Sequence, residues 1–188
     1  MRCLRGCLPC GCHIGGRNGG RSVKQQIIIS GKGGQGVLFL TRLLAEAGMV
    51  AGLPVLTSET HGMAMRGGTV ISHVKVGSFM SPLIRKGGAD AGLFLSHSNI
   101  AIHGDYVGPG GRCVVNTDRA GDFLGVDATE YARELGSLLM TNLVLLGYAI
   151  TKGVLFCDAS LMRTVIEQTS PPRKRELNLR GFERGLHL

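Results

Sequence analysis

The chain has 188 residues, 44% of them hydrophobic and 18% charged, the proportions of one globular domain with a proper core. Its formal net charge of +8 sits entirely at the ends, because residues 1–24 and 171–188 carry the excess of Arg and Lys while residues 25–170 are neutral. A neutral body with few aromatics (5%), none of them interleaved with the basic residues, argues against a nucleic-acid partner.

Residues 1–22 hold four of the six cysteines and several glycines but no periodic apolar pattern. They read as a flexible extension, and the domain proper as residues 23–188. Cys3, Cys7, Cys10 and Cys12 follow a C-x3-C-x2-C-x-C spacing that matches neither a cluster run nor a zinc ribbon, so metal binding there is the weaker reading. No apolar run precedes the glycines, as a secretory signal would require, which makes the cytoplasm the simplest compartment. The uncharged stretch from Gly136 to Thr151 is too short and too polar for a membrane span.

Ile27, Ile28 and Ile29 predict a short buried strand ended by Ser30-Gly31. The turn Gly31-Lys32-Gly33-Gly34-Gln35-Gly36 follows. Beyond it, Val37, Leu40, Leu43, Leu44 and Ala47 recur at helical spacing. Strand, glycine turn and helix form the first half of a βαβ unit. Gly31, Gly33 and Gly36 satisfy G-x-G-x-x-G, so the turn either brings a phosphate to a helix N-terminus or only allows tight packing. Pro54–Thr57 predicts a second strand and residues 59–68 a loop, ETHGMAMRGG. Thr69–Val76 alternates as a strand does; Ala91–Leu95 and Cys113–Val115 are further short strands. Asp127 to Glu130 reads as a capped helix start, Asn142–Thr151 as a buried helix, and Ser160–Thr169 as a helix stopped by Ser170-Pro171-Pro172. The alternation predicts an α/β fold: a single doubly wound, largely parallel sheet with helices on both faces.

Within that frame the loop with Glu59, His61, Arg66, Gly67 and Gly68 is the richest candidate site. Placed after a strand, it belongs at the carboxyl edge of the sheet beside Gly31, Gly33, Gly34 and Gly36, where open α/β sheets bind ligands. Arg66 suits a phosphate or carboxylate, and His61 acid–base work or hydrogen bonding. The alternative is a loop whose polar groups hold one another and a partner surface. Glu59 also lies where a dinucleotide fold places its ribose-binding acid, which leaves open an independent dinucleotide-binding oxidoreductase. No complete catalytic set is recognisable, so a subunit or a non-catalytic assembly protein also fits.

Taken in order, GKGGQGV, SETHGMAMRGGTVISHVKVG, SPLI and GGADAGLFL resemble the gamma domain of the 2-oxoacid:ferredoxin oxidoreductases. VVNT, VDATEYARELGS, TNLVLLGYAI and KRELNLRGFERG resemble most the branch that uses indolepyruvate and other arylpyruvates. The resemblance runs from about Val23 to the C-terminus. It implies an enzyme subunit inactive alone. Thiamine diphosphate and [4Fe-4S] clusters would lie in an alpha-type partner, coenzyme A would be co-substrate, and electrons would leave to ferredoxin through the complex. The glycine turn and the ETHGM loop would then face that partner. Two departures from the family stand out: residues 118–125 are shortened, and Ser96-His97-Ser98 replaces a frequent glutamate.

Overall fold

The computed structural model describes residues 23–61 and 68–188, residue 61 by its backbone only. Residues 1–22 with their four cysteines, the His61 side chain, Arg66 and Gly67 lie outside the described residues.

The chain forms β1 (Gln25–Lys32), α1 (Val37–Val50), β2 (Val55–His61), β3 (Thr69–Val76), β4 (Ala89–Phe94), α2 (Ile100–His103), β5 (Val107–Asn116), β6 (Leu124–Val126), α3 (Ala128–Glu134), α4 (Thr141–Thr151), α5 (Ala159–Thr169) and α6 (Pro172–Leu186). Six strands make one mixed sheet in the order β2-β3-β1-β4-β5-β6. β1, β4, β5 and β6 run parallel to one another, and β3 runs antiparallel to both β1 and β2. Five strands therefore share one direction, in accord with the largely parallel α/β fold expected.

β1 reaches three residues beyond the isoleucines. Gly31 and Lys32 continue the ladder opposite Val70 and Thr69, because β3 lies alongside to receive them. The same partner extends β2: Glu59, Thr60 and His61, expected in a loop, pair with Ser72, Ile71 and Val70 as strand. β2 and β3 are thus an antiparallel pair, and β2 still points the same way as β1.

The two faces of the sheet are unequal. Ile27 and Ile29, with Val70, Val74 and Val76 of β3, face a thick layer containing α1, α3, α4, α5 and α6. Ile28, Ile71, Phe94 and Val115 face a thin layer built from Ile84 and from Ile100 and Tyr106 around α2. The isoleucine run is uninterrupted because it is buried from both sides. α4 is apolar around most of its circumference because α6 covers its outer side. α6 was not anticipated: residues 171–188 read as a charged tail, yet Pro172 starts a helix whose Phe182 is fully buried. Asp127 and Asp158 cap α3 and α5, accepting the amides of Glu130 (2.9 Å) and Leu161 (2.8 Å). Cys157 is buried and its thiol is pushed up to about 12; burial also raises that of Cys113. No helix among the described residues is long and apolar enough to cross a membrane.

Under the thin layer lies a polar knot. Asn99 Nδ2 donates to Ser30 Oγ (2.9 Å), and the same hydroxyl is hydrogen-bonded to His103 Nδ1 at 2.7 Å. His73 Nδ1 accepts the Ile84 amide (3.4 Å), and Tyr106 stands edge-on to both imidazoles. His73 accepts at Nδ1, which only the neutral ring can do. Burial depresses both pKa values first; His103 and Lys75 add to the effect at His73, while at His103 Asp105 opposes it and Lys86 adds to it. A base with a depressed folded value takes up its proton first in the unfolded chain. Stability is therefore level above the ordinary value near 6.5 and falls as the pH drops from there to the lowered folded values. The slope reaches at most about 1.4 kcal/mol per pH unit for each imidazole. Urea midpoints between pH 8 and pH 5 should show this decline, and His73→Gln should flatten it. An equally steep decline in the variant would assign the effect elsewhere.

Candidate functional site at the carboxyl edge of the sheet

β1 and β4 are adjacent and parallel, but their chains leave in opposite directions. β1 passes to α1 on the thick face and β4 to α2 on the thin face. Strands that part in this way open a crevice beyond their carboxyl ends, where ligands of open α/β sheets bind. Here it is a cavity of about 460 Å³. Lys32 enters from the end of β1, His97 from the segment after β4, Asn116 and Arg119 from the end of β5 and beyond, and Asp127 from the end of β6.

Side-chain amides hold the floor of the crevice. Gln35 Oε1 accepts the Lys32 amide (2.6 Å), and Gln35 Nε2 donates to the Leu95 carbonyl (3.2 Å). Asn116 Nδ2 donates to the same carbonyl (3.0 Å) and to Thr129 Oγ1 (2.8 Å), while its Oδ1 accepts the Thr129 amide (3.2 Å). The glycine turn, the end of β4, the end of β5 and the start of α3 are thereby cross-tied. His97 Nδ1 is enclosed with no hydrogen-bond partner among the described residues, its ring edge-on to Phe123.

The glycine turn separates this crevice from a second cavity of about 570 Å³ on the other side. Gly36 is the left-handed cap of α1, with φ of +84°. A Cβ there would overlap Asn142 Nδ2 of α4, which donates to the Gly36 carbonyl (3.4 Å). Asn142 is 4% exposed, and its Oδ1 has no partner among the described residues. Phe39, Leu139, Leu177 and Lys174 complete walls that are apolar with one cation. At Gly31 a Cβ would meet Val37 Cγ2 at 2.9 Å and Leu95 Cβ at 3.1 Å. Gly31 and Gly36 are thus both sterically constrained. Gly34, also left-handed, has open space around it.

The Gly33 amide donates to the Gly68 carbonyl at 3.0 Å, so the two glycine-rich segments do meet at this edge. Glu59 does not stand where a dinucleotide fold would need it. Its strand is separated from β1 by β3, whereas in that fold the acid-bearing strand neighbours the first. Gln35, Asn116, Thr129 and Asn142, which carry the hydrogen bonding, were not anticipated. Short amides and hydroxyls have no spacing signature, and apart from the Lys32 amide that Gln35 accepts their partners lie 13 to 106 residues away. Among the described residues no group of three or more His, Cys, Asp or Glu side chains is arranged to hold a metal ion.

Residues 26–188 match the pyruvate ferredoxin/flavodoxin oxidoreductase family. The chain belongs to that family. It is 31% identical over 189 residues to the indolepyruvate oxidoreductase subunit IorB of Archaeoglobus fulgidus, covering 87% of this chain and 94% of that protein. To the IorB subunit of Thermococcus kodakarensis it is 30% identical, covering 85% and 93%. Among solved structures, the gamma subunit of a keto/oxoacid ferredoxin oxidoreductase from Geobacter sulfurreducens superposes with a TM-score of 0.69 at 24% identity, over 87% of this chain and 96% of that one. The 2-oxoglutarate:ferredoxin oxidoreductase of Magnetococcus marinus, solved with 2-oxoglutarate, coenzyme A and succinyl-CoA, superposes with a TM-score of 0.71 at 20% identity; the match covers 87% of this chain and 30% of that one. These likenesses place the mixed six-stranded sheet within the fold of oxidoreductase gamma subunits. The family member described here is an oxidoreductase subunit.

Proposed function

We propose that this chain is the gamma-type subunit of a thiamine diphosphate-dependent enzyme that oxidises indolepyruvate or a related arylpyruvate. The 2-oxo acid loses CO2, its acyl group passes to the coenzyme A sulfur, and the electron pair leaves on ferredoxin. Thiamine diphosphate and the [4Fe-4S] clusters belong to an alpha-type partner. The observation that carries this reading is similarity to IorB subunits over nearly their whole length and 85–87% of this chain. The crevice supports it: Lys32, Arg119, His97 and the Asn116 amide line a polar recess suited to recognising a co-substrate or a partner surface. The loop of His61, Arg66, Gly67 and Gly68 is assigned the partner-facing edge beside it, on the strength of the Gly33–Gly68 contact.

Viologen reduction with arylpyruvates and coenzyme A tests the assignment. The chain alone should give no turnover. The chain with its alpha-type partner should turn over arylpyruvates in preference to 2-oxoglutarate. Arg66→Ala in that complex should weaken assembly or coenzyme A-dependent turnover by roughly tenfold to a hundredfold, the loss of one charge-assisted contact. Turnover by the chain alone would overturn the subunit reading, and saturable micromolar NAD(H) binding would favour the dinucleotide alternative. Normal assembly and turnover in the Arg66 variant would remove that loop from the site.

A further inference from the structure

We infer that the cavity on the α4 side of the glycine turn binds an aromatic carboxylic acid that carries a ring N–H. The carboxylate pairs with Lys174 and the ring lies against Phe39, Leu139 and Leu177. The site belongs to this chain, and the inference does not depend on the complex turning over arylpyruvates.

The cavity lies where the amino ends of three helices meet: Gly36 at α1, Asn142 in the first turn of α4, and Pro171 with Lys174 at α6. Its volume of about 570 Å³ is that of a small-molecule site. Each amino end is the positive pole of its helix. Gly36, Met140 and Pro171 cap these helices without a side-chain hydrogen bond, and no acid stands in the first turn of any of the three. Lys174 is the one charged residue in the described wall, and it forms no ion pair among the described residues. It sets a cation against the positive pole of its own helix, an unfavourable placement that an anion in the cavity would relieve.

Asn142 is the second, independent sign. It is buried in the same wall, its Nδ2 is committed to the Gly36 carbonyl, and its Oδ1 has no partner among the described residues. Turning the amide over would set Oδ1 against that carbonyl oxygen, so the unmatched atom is an acceptor and calls for a donor. An enclosed acceptor without a donor is costly. Phe39, Leu139 and Leu177 offer none, being apolar. They also make a poor wall for a bare inorganic anion, and a single lysine suits one carboxylate better than a chain of phosphates. An apolar ring, one N–H donor and one carboxylate together answer the wall, the Asn142 oxygen and Lys174 with the three helix ends.

The chain has no tryptophan, so the emission of an added indole is read without background. Titrating indole-3-acetate with the full chain should show saturable binding, one molecule per chain, with a dissociation constant below about 1 mM. Two analogues remove one feature each: 3-methylindole lacks the carboxylate and 1-naphthaleneacetate lacks the N–H. Both should bind roughly tenfold more weakly. Lys174→Gln should weaken indole-3-acetate by a similar factor and leave 3-methylindole unaffected, with an unchanged melting temperature because Lys174 is exposed. The readout is binding to this chain and is separate from the turnover that tests the proposed function. Absence of saturable binding, equal affinity for the three compounds, a Lys174→Gln protein that binds as the wild type does, or displacement by an equal concentration of coenzyme A would each overturn the assignment.

Discussion

Gly185→Val should cost the fold about 3 kcal/mol or more, which for a domain of this size lowers the melting temperature by roughly 6–12 °C. Gly185 lies on α6 where that helix crosses α4. A Cβ there would overlap the Val144 carbonyl oxygen and lie 3.0 Å from the Gly147 Cα. The obstacle is backbone, so no rotamer change relieves it. Gly147 faces the same seam from the other side, and its Cβ would overlap the Phe182 carbonyl oxygen. On helix propensity alone, Gly185→Ala would gain about 1 kcal/mol. Even alanine should therefore destabilise, because separating the helices uncovers α4 residues that are now fully buried. Gly147→Ala and Gly185→Ala widen the same gap, so the double variant should lose less than the sum of the two. Thermal unfolding of the four proteins decides the matter. A Gly185→Ala protein more stable than wild type would show that the seam adjusts freely.

Gly36→Val is the second large effect. Gly36 caps α1 at a φ of +84°, a conformation that costs a β-branched residue about 1–3 kcal/mol. Its side chain would also displace the Asn142 amide and intrude on the cavity beside the turn. Gly34 separates the two causes. It has a similar φ of +89° but nothing within 4 Å of an added Cβ, so Gly34→Ala should show the backbone penalty alone, about 1 kcal/mol. Gly36→Ala should exceed it, and the excess should shrink when combined with Asn142→Ala, which removes the obstructing amide. Melting temperatures and complex turnover measured on this series would test the reading. Equal losses at Gly34 and Gly36 would mean that Asn142 gives way without cost.

What could be read from the residues follows from how far their information reaches. Ile27–Ile29, the alternation of Thr69–Val76 and the apolar stripe of α1 declare themselves because strand and helix periods are local. β3 matched its expected bounds for that reason. β1 and β2 were cut short at Gly31 and Glu59, residues whose local preference is against strand. Only the β3 ladder, a tertiary contact, carries them through. α6 was hidden by its composition. Arg and Lys crowd its first turn, and its buried stripe consists largely of glycines and one phenylalanine, which have little apolar signature. At the site, the glycine turn was visible as a motif, but the sequence could not tell which of its glycines were sterically required. That depends on Asn142, Val37 and Leu95 standing behind them. The order of strand, turn and loop pointed to the carboxyl edge, and the family resemblance to an oxidoreductase subunit; the cross-ties through Gln35 and Asn116 came only with the fold.

The inequality of the two faces bears on how the molecule breathes. Amides of β1, β3 and β4 lie beneath five helices on one side and should exchange with solvent only when the whole domain opens. The segment from His97 to Tyr106 is held by a small apolar cluster, by the knot of Ser30, Asn99 and His103, and by the ties of Lys86 and Gly87 to Asp105. It is the natural first unit to detach. Because that segment leaves directly from the crevice wall at His97, a molecule seated there would slow exchange across α2, on the far side of the sheet from the thick layer. Occupancy of the crevice would thus be recorded as protection in a segment that is, for the most part, outside it.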